Sequence, residues 1–396
     1  MKVAILTTGF LRHAADTRGL SVYEIAKNLV VRGVNVEVIA PADCNTKPYE
    51  SIGRIKIARF NYFFPKSMQK LAYGAGMPTT LKKSILAKIQ LPFFVFSFIL
   101  KSLRRCKDCD IIHAQWILSG LAGIIIKTFY KKPVFLTIRR VVHGSTLMKR
   151  INKYIIEHVD CVFFNSSYTE RKVLEFAKPR NHAILHPTIN VDKFRPGLKT
   201  GLKKELGIKS SNGIIFSLGL LVEKKGFKYL IKAMSILDKK LRGQTILIIG
   251  GQGSEETKLK RLVNDLGLQH NVKFAGEISS KKTPYYYNIA DLFVLPSIID
   301  SAGETETFGV VLLEALACGC PVIASNVGGI PDIVEPQVGF LVEQKNERQI
   351  ANKMEILLRD SKLRKKMSLS ARKRILKYFN SGKVAEDLIK KYKLFL

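Results

Sequence analysis

The feature that most constrains this chain is the alternation of short, β-branched apolar runs with stretches of helical periodicity. Such alternation indicates parallel strands joined by crossover helices, the α/β class of fold. In the first half, strands are predicted at 3–8, 36–40, 55–60, 111–113, 134–138, 161–165 and 183–185. The pattern restarts in the second half, with strands predicted at 214–218, 245–250, 272–275, 292–295, 322–324 and 339–342.

The length of the chain indicates that these strands belong to more than one hydrophobic core. A chain of 396 residues exceeds the size at which single hydrophobic cores stop growing, so two domains are expected. Residues 187–196 separate the two sets of strands and contain two prolines, a composition typical of a linker. We therefore predict two Rossmann-like, doubly wound α/β domains that face each other across a cleft.

The charge of the chain is large and unevenly distributed. Lys and Arg number 65 against 32 Asp and Glu, a formal net charge of +33. Residues 47–150 hold 20 basic and 3 acidic side chains, residues 359–396 hold 13 and 3, and residues 196–358 hold 20 and 17. This pattern favours an anionic partner, namely nucleic acid, an acidic lipid surface or a phosphorylated substrate. A generally lysine-rich surface is the alternative.

One apolar segment bears on membrane contact. Residues 89–100 read IQLPFFVFSFIL and are flanked on both sides by lysines and arginines. Twelve residues are too few for a membrane-spanning helix, which needs about 20. The segment is therefore expected to be either a core helix or an interfacial segment that rests on anionic lipid.

The cysteines and the N-terminus indicate the compartment. Six cysteines in a chain of this length do not form the framework of a small secreted domain, and the apolar start at residues 3–6 is only as long as a strand. We therefore expect a cytoplasmic protein without a signal peptide. The cysteine pairs at 106 and 109 and at 318 and 320 lack the further ligands of a zinc site, so no metal is expected.

Three turns that follow strands of the second half are rich in glycine and charge. In parallel sheets such turns lead into helix N-termini, which favour anions. They comprise 219–226 with Lys225, 250–255 with Gly251, and 296–309 with Glu306. Glu314 follows Glu306 by eight residues, so that two carboxylates could hold different hydroxyl groups of one elongated ligand. From spacing alone, the simpler interpretation is a solvated lysine, a carboxylate that offsets a helix dipole and a solvated helical glutamate.

Further motifs surround the two glutamates and extend into the first half. In the second half they are ADLFVLPS at 290–297, Glu306-Thr-Phe-Gly with Glu314, GCPVIA at 319–324 and VGGIPD at 327–332. In the first half they are DTRG at 16–19 and DIIHAQW at 110–116. Together these motifs resemble the retaining glycosyltransferases of family 4, also called group 1. The resemblance covers essentially the whole chain and is most specific between residues 219 and 342.

This resemblance implies a GT-B fold and a metal-independent, retaining transfer of a sugar from a UDP- or GDP-linked donor. The acceptor would be a hydroxyl of a glycan or of a lipid-linked molecule, and no cofactor is implied. The implied parts are an acceptor-side domain at 1–190, a donor domain at 197–378 and a helix at 379–396 that crosses back to the first domain.

The same resemblance implies roles for individual residues. Glu306 would hold hydroxyls of the sugar, Glu314 the ribose and Lys225 the diphosphate. The other implied donor-binding residues are Gly19, Gly219, Gly251, Thr307, Phe308, Gly309 and Val310.

One departure from the family pattern lies in the lysine-bearing turn. Leu220 stands where the family usually has an arginine. Neutralisation of the diphosphate is then left to Lys225, to Lys224 or to a basic residue of the other domain.

A second departure follows the strand at 134–138. The family usually has His-Gly at this point, whereas this chain has Arg139-Arg140, with His143-Gly144 four residues later. Either His143 still faces the sugar or Arg139 has taken its place near the donor. Both are candidate catalytic residues, and the arginine is favoured.

Other functions compete with sugar transfer. A GT-B-like protein that binds nucleotide or carbohydrate without catalysis would accommodate both departures. A nucleotide-sugar epimerase is less consistent with the block from Glu306 to Glu314, and a nucleic-acid binder is disfavoured because no known binding module is present. For a transferase, the basic residues of 47–105 and of the tail are expected on the acceptor side. There they would dock reversibly on an anionic membrane, at its cytoplasmic face, or on a lipid-linked or acidic glycan acceptor.

Overall fold

The computed structural model describes residues 1–13, 16, 18–73, 76–140, 146–198 and 201–396. The chain divides into two compact units, one formed by Met1–Pro187 with Ser381–Leu396 and the other by Thr188–Asn380. Each unit contains its own sheet and its own hydrophobic clusters. The predicted α/β fold class is confirmed, because both units consist of mainly parallel sheets covered by helices.

The first unit is built on one sheet. Its strands are β1 (Lys2–Thr7), β2 (Asn35–Pro41), β3 (Tyr49–Ile52), β4 (Ile55–Phe60), β5 (Ile111–Gln115), β6 (Val134–Ile138), β7 (Cys161–Phe164) and β8 (His182–Ile184). Within the described ranges, their order is β3-β4-β2-β1-β5-β6-β7-β8, and all pairs are parallel except β3 with β4. The sequence pattern does not predict β3, because its exposed and half-buried residues form no apolar run.

Helices cover both faces of this sheet. They are α1 (Leu20–Val31), α2 (Met77–Lys83), α3 (Ile85–Cys106), α4 (Ile117–Tyr130), α5 (Thr146–His158), α6 (Ser167–Leu174) and the C-terminal helix α15 (Ser381–Lys393). α15 contacts α1 and adds Leu388 and Tyr392 to the apolar cluster that contains Val3 and Phe135. The last helix of the chain is thereby part of the first unit.

α3 is longer than the apolar run at 89–100 predicts. It has 22 residues and passes through Pro92, because residues with helical spacing continue the pattern on both sides of that run. By length and composition it could cross a membrane. Its buried face, however, packs into the domain core, where the rings of Phe94 and Phe98 lie 5.2 and 4.9 Å from that of Phe60. α3 is therefore a helix of the first unit.

The second unit is built on a smaller sheet. Its strands are β9 (Gly213–Leu218), β10 (Thr245–Gly250), β11 (Val272–Gly276), β12 (Leu292–Leu295), β13 (Val322–Ser325) and β14 (Gly339–Val342). All pairs are parallel, in the order β11-β10-β9-β12-β13-β14. β9 and β12 are neighbours in the sheet although β10 and β11 separate them in sequence, so the strand order reverses between them.

The helices of the second unit follow these strands. They are α7 (Leu202–Glu205), α8 (Phe227–Ser235), α9 (Lys239–Gly243), α10 (Glu256–Asp265), α11 (Thr283–Ile289), α12 (Val310–Ala317), α13 (Glu347–Arg359) and α14 (Ser361–Arg374). Met367 and Ala371 of α14 are buried in two different clusters of this unit. α14 is therefore anchored in the second unit.

The basic residues are divided differently from what the sequence suggests. The first unit carries 34 basic and 13 acidic side chains and the second carries 31 and 19. Of the tail, residues 359–380 hold 9 basic and 1 acidic side chains and belong to the second unit, whereas residues 381–396 hold only 4 and 2. The expectation that the charge of the tail lies on the first unit is wrong, because α14 packs elsewhere.

Candidate active site

The candidate site of the second unit lies where the strand order reverses. Crevices at such switch points are where open parallel sheets bind their ligands. The turn after β9 ends in a one-turn 3₁₀ helix, Glu223–Lys225. The loop after β12 leads to Gly309, the N-cap of α12. Because β9 and β12 are adjacent, these two segments bring Lys225 and Glu306 to the same edge of the sheet.

Lys225 and Glu306 form an ion pair. The Nζ of Lys225 donates a hydrogen bond to Oε2 of Glu306, and the two side chains are only 15% and 17% exposed. The aliphatic part of Lys225 runs along Gly219, since a Cβ built at Gly219 would lie 3.4 Å from its Cε. The pair therefore combines, in one place, a cation suited to phosphate and a carboxylate suited to hydroxyl groups.

Three glycines let the loops of the site touch through their backbones. All three have positive φ: Gly251 (+124°), Gly226 (+66°) and Gly328 (+57°). A Cβ at Gly251 would lie 1.9 Å from the carbonyl oxygen of residue 219, and one at Gly226 would lie 1.9 Å from that of residue 296. At Gly328 it would lie 1.8 Å from the carbonyl oxygen of Glu306. Only glycine fits these three positions. The close backbone contacts fix the positions of Lys225 and Glu306.

A second ion pair fastens the same two loops together. Lys224 Nζ lies 2.9 Å from Glu304 Oε2, and the amide of Ile298 donates a 2.8 Å hydrogen bond to the carbonyl of Lys224. Sequence reasoning missed Glu304. It lies two residues before Glu306, and spacing alone does not say which glutamate meets which lysine.

Glu314 lies on α12 and meets a tyrosine of α11. The hydroxyl of Tyr287 donates a 2.9 Å hydrogen bond to Oε2 of Glu314. Burial raises the pKa of Glu314 to about 7, although the hydrogen bond from Tyr287 and the charge of Lys193 oppose the increase. Sequence reasoning missed Tyr287, which is 1% exposed, and the only sequence signal is its place in the run of three tyrosines at 285–287.

Residues 307–310 form the start of α12. Gly309 caps the helix with φ +102°, and the first amides of a helix have no partners within it. The side chain of Phe308 is 2% exposed and belongs to the core. Val310 is 42% exposed. Thr307 precedes both and is half-buried.

Leu220 lies in the turn between Gly219 and Lys225. Its side chain is 67% exposed, so the departure from the usual arginine places an apolar side chain in solvent at this turn. Among the described residues no group of three or more His, Cys, Asp or Glu side chains could hold a metal ion.

The other predicted site residues belong to the first unit. Gly19 caps α1 with φ +74°, and a Cβ there would lie 2.6 Å from the carbonyl oxygen of Gly9. Arg139 follows β6, and burial lowers its pKa to about 10. Its Nη1 is buried without a hydrogen-bond partner in the described part of the chain. Burial and the charge of Arg139 lower the pKa of His113 to about 3. His143 lies outside the described residues.

Comparisons with known proteins identify the family of this chain. A profile described as "Glycosyl transferases group 1" matches residues 199–374, and one described as "Glycosyltransferase Family 4" matches residues 19–193. One similar sequence is the GDP-mannose-dependent alpha-(1-6)-phosphatidylinositol monomannoside mannosyltransferase of Mycobacterium tuberculosis. It is 31% identical over 55% of this chain and 56% of its own length.

Solved structures share the fold over nearly the whole chain. Sucrose-phosphate synthase from Thermosynechococcus elongatus has a TM-score of 0.79 at 23% identity, covering 99% of this chain and 98% of its own. HepE from Anabaena, solved in complex with UDP, has a TM-score of 0.76 at 19% identity and covers 99% and 100%. With both halves of the sequence matched, the chain belongs to the group 1 glycosyltransferases of family 4, which have the GT-B fold.

Proposed function

We propose that this glycosyltransferase moves a sugar, with retention of anomeric configuration, from a UDP- or GDP-linked donor to a hydroxyl of a glycan or lipid-linked acceptor. The observation that carries the proposal is the Lys225–Glu306 pair at the reversal of strand order. The Mycobacterium relative is named for GDP-mannose and HepE binds UDP. Both support a nucleotide-sugar donor.

The proposed roles follow from the charge that develops during transfer. The bond between the anomeric carbon and the diphosphate oxygen breaks, the acceptor oxygen bonds to that carbon, and the acceptor's proton leaves with the diphosphate. Lys225 and the amides of Thr307 to Val310 would stabilise the negative charge on the departing diphosphate. Glu306 would accept hydrogen bonds from the sugar hydroxyls, and Glu314 from the ribose.

Residues of the first unit complete the proposal. Arg139 would supply a further cation near the donor, supported by its buried guanidinium nitrogen without a hydrogen-bond partner. His143 is the alternative residue for this role. Gly19 would let the loop after β1 approach the phosphates. Since lysine, arginine and helix amides supply the positive charge, we propose a metal-independent reaction, with equal turnover in EDTA and in Mg²⁺.

The test is a panel of UDP- and GDP-sugars, scored by donor hydrolysis and by thermal stabilisation. Turnover of the best donor should fall by about 100-fold or more in Glu306→Ala and in Lys225→Ala, the loss expected for a group that stabilises transition-state charge. Lys228→Ala is the matched control and should retain most turnover, because Lys228 is an exposed lysine of α8 that lies outside the two loops of the site.

Two outcomes would overturn parts of this proposal. Normal turnover in both Glu306→Ala and Lys225→Ala would refute the site. Binding of a nucleotide sugar without hydrolysis or transfer would favour a non-catalytic carbohydrate-binding protein, the function suggested by the exposed Leu220.

The proposal includes a place in the cell. We propose that the protein is cytoplasmic and docks reversibly on the inner face of the membrane, because residues 47–105 are strongly basic. Cell fractionation tests this location: the protein should sediment with membranes at low salt and be released by high salt. Recovery in the soluble fraction at both salt concentrations would contradict it.

A further inference from the structure

An apolar stripe runs along the solvent-facing side of α3 from Ile85 to Leu100. Ile85, Ile89, Phe93, Phe96 and Leu100 are 76%, 53%, 53%, 68% and 36% exposed. Their spacings of four, four, three and four residues place them on one face of a helix. α3 therefore has two apolar faces, one that packs into the core and one that contacts water.

The segment before α2 extends this apolar surface. Phe64 is 88% exposed and Met68 is 39% exposed. The segment is held against α3, because Gln90 Nε2 donates a 2.6 Å hydrogen bond to the carbonyl of Met68 and the Phe63 and Phe93 rings lie 5.9 Å apart. The apolar stripe and this segment form one patch, larger than the isolated apolar side chains that are ordinary on protein surfaces.

The charges of the segment that carries the patch have one sign. Residues 51–107 contain 12 basic and no acidic side chains. Exposed cations flank the stripe: Lys82 and Lys83 at the end of α2, Lys88 beside Ile89, and Arg104 and Lys107 after Leu100. None of these five forms an ion pair within the part of the chain that the structure describes. Their charge is therefore available to an external anion.

We propose that this patch is a docking surface for an anionic phospholipid bilayer, with α3 lying parallel to the membrane plane. An apolar stripe between cations matches acyl chains beneath anionic headgroups. A second copy of this chain fits less well, because symmetric pairing would bring cations against cations. A spanning orientation is inconsistent with the burial of Phe94 and Phe98 in the core. This inference rests on the proposed function for its purpose, which is to bring the enzyme to a lipid-linked acceptor.

The test is flotation of the full-length protein with phosphatidylcholine vesicles that contain or lack phosphatidylglycerol. The wild type should float only with the anionic vesicles, and high salt should weaken its binding. The Phe93→Ser/Phe96→Ser variant should bind about tenfold more weakly, because it loses two aromatic side chains that enter the interface. Lys82→Gln/Lys83→Gln/Lys88→Gln should also bind more weakly and lose part of the salt dependence.

Leu369→Ser is the matched control. Leu369 is 69% exposed on the basic helix α14 of the second unit. The variant therefore tests whether any exposed apolar residue among cations contributes to vesicle binding. This variant should bind vesicles like the wild type. Circular dichroism and donor hydrolysis in solution should be unchanged in all these variants, since none of the altered residues belongs to the donor site.

Each result decides a separate claim. Failure of the wild type to float at low salt, or equal binding by Phe93→Ser/Phe96→Ser, would refute the docking surface while leaving sugar transfer intact. A concentration-dependent dimer that Phe93→Ser/Phe96→Ser abolishes, without vesicle binding, would assign the patch to self-association and overturn the proposal. Vesicle binding without hydrolysis of any donor would instead refute the proposed activity alone.

Discussion

A ligand phosphate that binds Lys225 competes for its ammonium group with the carboxylate of Glu306, its partner in the ion pair. We therefore expect Glu306→Gln to bind a nucleoside diphosphate about fivefold more tightly than the wild type, because about 1 kcal/mol of ion pairing no longer competes. Sugar transfer should fall in the same variant, since the neutral amide holds hydroxyl groups less well. Titration calorimetry with UDP and GDP measures the first effect.

Two variants serve as controls for this experiment. Glu304→Gln changes the partner of Lys224 and should leave nucleotide affinity at the wild-type value. Lys225→Met should reduce that affinity by about tenfold, the loss expected for a charged hydrogen bond to phosphate. Equal affinities in the wild type and Glu306→Gln would show that the pair does not compete with the nucleotide.

Glu314 makes the stability of the protein depend on pH. Its pKa is raised from 4.5 to about 7, so the folded state holds this proton more tightly than the unfolded state. The stabilisation is present at low pH and is lost as the pH rises from 4.5 to about 7. Glu314→Gln keeps the neutral shape and should gain about 2 kcal/mol of unfolding free energy relative to the wild type between about pH 5 and pH 8. Urea unfolding at both pH values measures this. An equal change in the unfolding free energy of the wild type and of Glu314→Gln between the two pH values would contradict it.

Residue chemistry at the site is only partly readable from the sequence. Motif spacing predicts that Glu306 lies in a loop and Glu314 on a helix, as the structure has them. Spacing does not predict that Glu314 meets Tyr287, 27 residues away, or that Lys225 pairs with Glu306 and Lys224 with Glu304. Such pairings depend on how two loops approach each other in the folded chain. The sequence of one loop does not specify its contacts with the other.

At the level of elements, the turn after β9 depends on contact between backbones. We expect Gly226→Ala to destabilise the protein by more than about 2 kcal/mol, because a Cβ 1.9 Å from a carbonyl oxygen forces the two loops apart. The displacement of Lys225 should also weaken nucleotide binding. Thermal unfolding and UDP titration measure the two effects.

Gly267→Ala separates this contact from backbone strain. Gly267 has φ +64°, close to +66° at Gly226, but nothing lies within 4 Å of a Cβ at this position. This variant should lose only about 1 kcal/mol, the cost of placing alanine in the left-handed region. It should retain wild-type nucleotide affinity. Equal losses in the two variants would mean that strain, and not contact, explains Gly226.

The strands were easier to predict than the ends of elements. Every predicted strand corresponds to one in the structure, because a buried parallel strand needs a continuous apolar run. β3 has no such run, since it lies at the sheet edge and pairs antiparallel with β4. α3 extends beyond its apolar run to 22 residues, because basic residues with long aliphatic stems prolong a helix as well as apolar ones do.

For the whole molecule, two units with separate cores predict two unfolding transitions. A nucleoside diphosphate that binds residues of the second unit should increase the unfolding free energy of that unit by about 2.7 kcal/mol at a concentration of about 100 times Kd. Tyr392→Phe should lower the midpoint temperature of the first unit's transition. Tyr392 is buried in that unit, and its hydroxyl lies 2.6 Å from His113 Nδ1. Calorimetry distinguishes these effects. A single transition that moves with both changes would contradict the prediction.

The sequence locates charge along the chain more reliably than in space. It identifies residues 47–150 as strongly basic, and all of them belong to the first unit. It does not reveal that the basic helix α14 is anchored by Met367 and Ala371 in the second unit. The position of this charge depends on the packing of α14 against residues that are distant in sequence.

The glycine contacts at the candidate site separate its backbone shape from its side-chain chemistry. The loops touch through main-chain atoms at Gly226, Gly251 and Gly328, where an added Cβ would lie 1.8–1.9 Å from a carbonyl oxygen. Leu220, 67% exposed in one of these turns, can therefore be exchanged without disturbing its neighbours. A substitution at such an exposed position would alter the chemistry of the turn while its backbone frame stays unchanged.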